Sequence, residues 1–90
     1  MITSQEAMKT FESKNPKLTI TMCIDYDSNH YVVEAVENLD TSEPNGSFYG
    51  VDKRNGEITG FVPALDLDEF FDAMDNRMVY RHPKMKEMED

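Results

Sequence analysis

Apolar and polar residues alternate from Leu18 to Ile24, with Leu18, Ile20, Met22 and Ile24 on one side and Thr19, Thr21 and Cys23 on the other. This period of two, with its β-branched majority, predicts a strand. The polar stretch Asp25 to His30 (DYDSNH) reads as a turn, and Tyr31-Val32-Val33-Glu34-Ala35-Val36 resumes as a second strand, so the two form a hairpin. Asn38 to Ser47 concentrates Asn, Asp, Ser, Pro and Gly without any period and is the longest internal loop. Phe48 to Asp52 and Glu57 to Phe61 flank Lys53-Arg54-Asn55-Gly56, where Asn-Gly supplies the positive dihedrals of a tight turn and predicts a second hairpin.

Helices bracket these strands. Thr3 with Glu6 three residues later is a capping box, Ile2 is placed to staple onto Ala7, and Ala7, Met8 and Phe11 form one narrow apolar stripe. Asn15-Pro16 stops that helix, because proline cannot continue the ladder and the residue before it avoids helical dihedrals. Asp66 and Glu69 repeat the capping spacing ahead of a second helix running to about Asn76, with Leu67, Phe70, Phe71 and Met74 expected on its inner side. The expected fold is α+β, in the order α-β-β-β-β-α: a four-stranded antiparallel sheet of two hairpins, with both helices packed on one face. Residues 1–76 make one domain. Residues 77–90, in which His82-Pro83 interrupts irregularly spaced apolar residues, are expected to be a basic, Met-rich and mobile segment.

Composition narrows the function classes. The chain has 90 residues, 9 Lys plus Arg against 18 Asp plus Glu, a net charge of −9 and one cysteine. One core is all that this length supports, and without an internal disulfide or zinc-ligand spacing its stability must come from packing. Met1 to Thr10 lacks a basic start followed by an apolar run, and no stretch is long enough to span a bilayer. The expected location is therefore a reducing cytoplasm, with Asn45-Gly46-Ser47 read as a turn and not as a glycan acceptor. The acidic balance argues against direct binding to nucleic acid or to an anionic membrane. The charges are also segregated: residues 1–76 carry 5 basic and 15 acidic side chains, whereas residues 77–86 carry Arg77, Arg81, Lys84 and Lys86 and no acid.

Candidate chemistry is sparse. Asp25-Tyr26-Asp27-Ser28-Asn29 imitates the start of a calcium loop, but His30 stands where the sharp turn needs glycine and Val36 where the bidentate Glu belongs. The carboxylates Asp66, Asp68, Glu69, Asp72 and Asp75 are explained by the first turn and solvated side of a helix, where the dipole favours anions. His30, His82 and Cys23 have no partner spacing that makes a nucleophile, and Gly46, Gly50, Gly56 and Gly60 make no phosphate loop. No catalytic, metal or cofactor-binding residue emerges, and an enzyme is not expected. Gly50 and Gly60 lie near each other across the second hairpin and leave a thin patch beside Tyr49 and Phe61, open either to a partner's side chain or to the second helix.

From Phe48 to Asn76 the string FYGVDKRNGEITGFVPALDLDEFFDAMDN resembles small proteins encoded by phages and prophages of Gram-positive bacteria. The shared features are the aromatic-led strand, V-D-K before Gly56-Glu57, F-x-P at Phe61 to Pro63, and E-F-F-x-A at Glu69 to Ala73; with the opening helix and Asn15-Pro16 the likeness spans residues 3–76. The resemblance implies a phage or mobile-element origin and a non-enzymatic role. It carries no catalytic motif.

The expected function is a small protein-binding or virion-associated module, with Tyr49, Phe61, Met78, Val79 and Tyr80 as the partner-binding residues. The alternative is an acidic nucleic-acid mimic that inhibits a host nucleic-acid enzyme such as a defence nuclease, in the manner of anti-CRISPR proteins, through Asp25, Asp27, Asp66, Asp68, Asp72 and Asp75. The partner is another protein in both cases. A monomer is favoured, with pairing of two copies along residues 18–24 as the competing state.

Overall fold

The computed structural model describes residues 1–37 and 46–83. Its elements are α1 (Ser4–Lys14), β1 (Thr19–Asp25), β2 (His30–Val36), β3 (Ser47–Asp52), β4 (Ile58–Gly60), a 3₁₀ turn (Pro63–Leu65), α2 (Leu67–Asn76) and β5 (Met78–Arg81). The strands form one antiparallel sheet in the order β4-β3-β2-β1-β5. The α+β class and both hairpins agree with the sequence reading. The sheet has five strands where four were expected, and the chain continues past α2 into β5.

The local signals that started α1 act as read. Glu6 N–H donates to Thr3 Oγ1 at 3.1 Å and Thr3 N–H donates to Glu6 Oε1 at 3.0 Å, which satisfies donors at both ends of the box. Ile2 packs against the cluster containing Ala7 and Phe11. In the second hairpin Gly56 adopts φ 75° and donates its N–H to the Asp52 carbonyl at 2.8 Å. A Cβ there would be strained, so glycine at this turn is a backbone requirement.

The helices lie on opposite faces of the sheet, which corrects the expectation that they share one. Five successive residues are buried in both β1 and β2, and a strand covered on one face would alternate. Beneath α1 lie Ala7, Phe11, Ile20, Cys23, Tyr31, Val33, Ala35 and Val51. Beneath α2 lie Met22, Ile24, Tyr26, Val32, Phe70 and Ala73. A bulge in β1 divides its apolar residues: Ile20 pairs with Ala35 and Met22 with Glu34, leaving Thr21 as the extra residue. The period-two set Leu18, Ile20, Met22, Ile24 is thereby split, the first two serving the α1 core and the last two the α2 core. The bulge also turns Thr21 inward, where its hydroxyl donates to the buried Glu34 carboxylate and lies 3.2 Å from the Glu34 carbonyl.

Between β4 and β5 the chain crosses the sheet. The 3₁₀ turn leaves the β4 edge, α2 lies over the second face, and β5 pairs with β1 at the far edge through Met22–Arg81, Cys23–Tyr80 and Ile24–Met78. Residues 78–81, read as the start of a mobile segment, are an edge strand. Lys84, Lys86, Met85 and Met88, and most of the loop expected from Asn38 to Ser47, fall outside the described residues. Among the described residues no helix is long and apolar enough to cross a membrane.

Candidate functional site

The crossover that carries the chain from β4 to β5 is also where apolar side chains remain in solvent. Val62, Leu65, Leu67 and Phe71 are 56%, 85%, 47% and 49% exposed. Leu67 and Phe71 were expected on the inner side of α2, but the inner side is Phe70, Ala73 and Met74. Ala73 and Phe70 are buried against the sheet, and Leu67 and Phe71 face outward. The latter two are one turn apart on the same helical face. Leu65 and Val62 stand just before them in the 3₁₀ turn, whose Leu65 N–H donates to the Val62 carbonyl at 3.2 Å.

Carboxylates surround this strip. Asp66 precedes α2 without a side-chain capping bond, so the expected second capping box does not form. Its carboxyl meets that of Glu69 instead, and this hydrogen bond, followed by the charge of Asp66, raises the pKa of Glu69. Asp68 lies in the first turn of the helix and Asp72 on its exposed side. Arg77 at the end of α2 reaches Asp72 Oδ2 at 3.4 Å.

Arg77 also links α2 to the β1–β2 turn. Its Nε donates to the Asp25 carbonyl and its Nη2 to the Tyr26 carbonyl, both at 3.0 Å. The turn is closed by Asp27, whose Oδ1 accepts from the N–H of Asn29 at 2.8 Å and of His30 at 2.7 Å. This is the Asx-type arrangement read against the calcium motif. Among the described residues no three or more His, Cys, Asp or Glu side chains gather as a metal site.

Tyr26 is the centre of this end of the molecule. Its ring is buried and meets Phe61 at 5.0 Å and 72°, and Phe61 in turn lies 6.0 Å from Phe70. Burial raises the pKa of the Tyr26 hydroxyl, the charges of Glu69, Asp66 and Asp27 raise it further, and Arg77 partly offsets them. Beside it, Tyr26, Asp27, His30, Gly50, Thr59 and Phe61 line a cavity of about 220 Å³ that opens to solvent. Gly50 does leave a gap on the sheet, and no α2 residue lines it. Gly50 faces Thr59 while Gly60 faces Tyr49, so the two glycines are diagonal neighbours.

Of the five residues expected to bind a partner, Met78, Val79 and Tyr80 line one shallow pocket of about 270 Å³ with Arg81 on the β5 edge, while Tyr49 and Phe61 lie elsewhere. Tyr49 packs on the α1 side, 5.0 Å from the Phe11 ring, and Tyr80 packs against the same cluster. Phe61 and Met78 pack on the α2 side. Val79 is half exposed on the β5 edge. Tyr80 does line a shallow groove of about 420 Å³ along α1, with Met8, Lys9 and Glu12.

The six mimic residues separate in a different way. Asp27 and Asp66 act on Tyr26 and Asp72 is ion-paired with Arg77, whereas the Asp25 carboxylate is ion-paired with Lys53 on the α1 side. Asp68 and Asp75 are exposed on α2. Elsewhere, Cys23 is fully buried, and its thiol is pushed up to about 12 by burial and then by Asp25, which suits a packing role and not a nucleophile. Sequence reasoning missed Val62, Leu65, Leu67 and Phe71 because it counted the last two as core and gave the first two no role. No protein-family model matches the chain, and neither does any curated protein or solved structure.

Proposed function

We propose that this protein is a non-enzymatic binding module that holds a basic, amphipathic segment of another protein on the surface running from Val62 to Phe71. The observation that carries this reading is the exposure of four large apolar side chains in one ten-residue stretch that also contains Asp66, Asp68 and Glu69. Leaving these groups in water gains the fold nothing, and covering the part of each that is still exposed is worth about 1 kcal/mol, or about 2 kcal/mol for Leu65, before the cost of association. The carboxylates favour a cationic partner and oppose an anionic one. The phage or mobile-element origin, and a cytoplasmic or virion-associated setting, are supported by the sequence pattern of residues 48–76 and belong to this proposal.

The nucleic-acid mimic is a second reading, supported by the convergence of Asp27, Asp66 and Glu69 beside Tyr26. One observation weighs against it: Lys53 and Arg77 already pair with Asp25 and Asp72.

A pull-down with tagged wild-type and Leu65→Ser/Phe71→Ser proteins, washed at low and high salt, separates the readings. The module retains its partner at high salt, and the double variant loses it. A nucleic-acid enzyme released by salt and retained equally by the variant would establish the mimic instead.

A further inference from the structure

Gly50 is a conspicuous choice for the middle of a sheet. It pairs with Val32 on one side and Thr59 on the other, positions where a β-branched residue would strengthen the strand. A Cβ at this site would lie 3.3 Å from Thr59 Oγ1 and 3.8 Å from His30 Cδ2, so any side chain built on it would project into the cavity described above. Helix α2 covers the neighbouring sheet but contributes nothing to the lining. Glycine here maintains an opening that the packing of the domain leaves vacant.

The walls of that opening are specific in their chemistry. Tyr26 and Phe61 meet nearly at right angles and give it an aromatic corner. Asp27 supplies a carboxylate, held in place by the two backbone N–H groups that its Oδ1 accepts and flanked by His30, whose Nδ1 lies 3.5 Å from the same oxygen, so that an incoming cation meets Asp27 from the side that the imidazole leaves open. Asp66 and Glu69 add negative potential from the start of α2, as their effect on the Tyr26 hydroxyl shows. A volume of about 220 Å³ is below the roughly 300–1,000 Å³ of small-molecule sites and matches one side chain. Aromatic faces with a nearby carboxylate attract an organic cation through the ring quadrupole and through direct charge. An anion is repelled by the same groups, and an apolar group would bury Asp27 without compensation.

We propose that this cavity receives the alkylammonium head of a lysine side chain from the partner. The inference deepens the proposed function and rests on it for the source of the lysine. The cavity's preference for a cation stands on its own geometry.

The test is a titration of the intact protein with N-acetyl-lysine methylamide, its Nε-trimethyl form and the uncharged N-acetyl-norleucine methylamide, followed by NMR at the Tyr26 and Phe61 ring protons and the Gly50 amide. Both cations are expected to produce saturable shifts at these positions, at least fivefold tighter than norleucine. Asp27→Asn is expected to weaken the cations several-fold and leave norleucine unchanged, because asparagine keeps the Oδ1 acceptor that closes the turn. Gly50→Ser, checked for native amide dispersion, is expected to abolish the shifts. Equal binding of norleucine, or the absence of shifts at Tyr26 and Phe61, overturns the proposal. Should the cations fail to bind while Leu65→Ser/Phe71→Ser still loses the partner, the docking surface stands without the cavity; cation binding with the partner unaffected by that variant leaves the cavity and removes the strip.

Discussion

The Nη2 of Arg77 donates to the backbone carbonyl of Tyr26 at 3.0 Å, joining residues 51 positions apart in the chain. A second donor of the same guanidinium holds the Asp25 carbonyl. These bonds fix the end of α2 against the β1–β2 turn, and so place the Tyr26 ring beside Phe61. Lysine has one compact head and cannot make both bonds at this fork spacing. Bonds from a charged donor are worth about 1.5–3 kcal/mol, and the partial exposure of Arg77 lowers the expectation for Arg77→Lys to about 1–2 kcal/mol of lost stability. Urea unfolding measures it, and a loss no greater than that of Lys9→Ala would show the staple to be idle.

Thr21 makes the β1 bulge more than an irregularity. Its hydroxyl partners the carboxylate of buried Glu34, and removing one partner leaves the other to bear its desolvation. Thr21→Val is therefore expected to cost about 1–3 kcal/mol, whereas Thr19→Val, on the less buried start of the same strand, is expected to stay within about 0.5 kcal/mol. Thermal unfolding of the two variants side by side compares them.

Asp52 accepts from the Arg54 side chain at 3.0 and 3.2 Å and from its backbone N–H at 2.7 Å, and these bonds hold its carboxyl down at about 2. An unfolded aspartate titrates near 3.9. The contribution is therefore complete above about pH 4 and is lost as pH falls towards 2. Asp52→Asn is expected to lower Tm at pH 7 and to flatten the acid limb of the Tm–pH curve between pH 4 and 2. An unchanged acid limb would remove Asp52 from the account.

Glu69 has the opposite sign. Its hydrogen bond to Asp66 and the charge of Asp66 raise its folded pKa, so the folded chain holds this proton more tightly than the unfolded one. Stability from this group is full in acid, below the ordinary glutamate value of about 4.3, and is lost as pH rises through the raised value. Glu69→Gln is expected to have a higher Tm than wild type at pH 7 and the same Tm at pH 3. A variant less stable at pH 7 would contradict the carboxyl–carboxyl contact.

Much of the fold is legible where local chemistry decides. The Thr3–Glu6 box and the Asn55-Gly56 turn act within a few residues, and both hairpins follow from them and from the apolar runs. What was illegible depends on pairing between distant residues. The bulge at Thr21 exists only in register with β2, and it divides Ile20 from Met22 although the sequence alternates perfectly across it. A second irregularity, where β5 faces Cys23 and Ile24, sends Met78 to one face and Tyr80 to the other. That is why Met78-Val79-Tyr80 shows neither strand nor helix period in the sequence. One signal for two covered faces was present in β2, whose run Tyr31-Val32-Val33 has no polar side to give to water.

The candidate site was readable only in part. Gly50 and Phe61 were singled out, and a gap beside Gly50 is present. Leu65, Leu67 and Phe71 were not, because the helical period of α2 fits Leu67 and Phe71 to a core as well as to a surface, and only the packing of Phe70, Ala73 and Met74 on the sheet decides between them. Met78 packs against the α2-side cluster and Tyr80 against the α1-side one, and both stay partly exposed on the β5 edge. Replacing both by alanine acts on the stability of the sheet edge as well as on any contact made there.

The most direct test of the binding surface is site-specific photocrosslinking in the cells that produce the protein, with a benzophenone side chain placed at Leu65, at Phe71 or, on the far face, at Glu12. The account predicts one discrete adduct from positions 65 and 71, absent from position 12 and lost when Asp66, Asp68 and Asp72 are replaced by lysine. Adducts from position 12 alone, or none from 65 and 71, would contradict it.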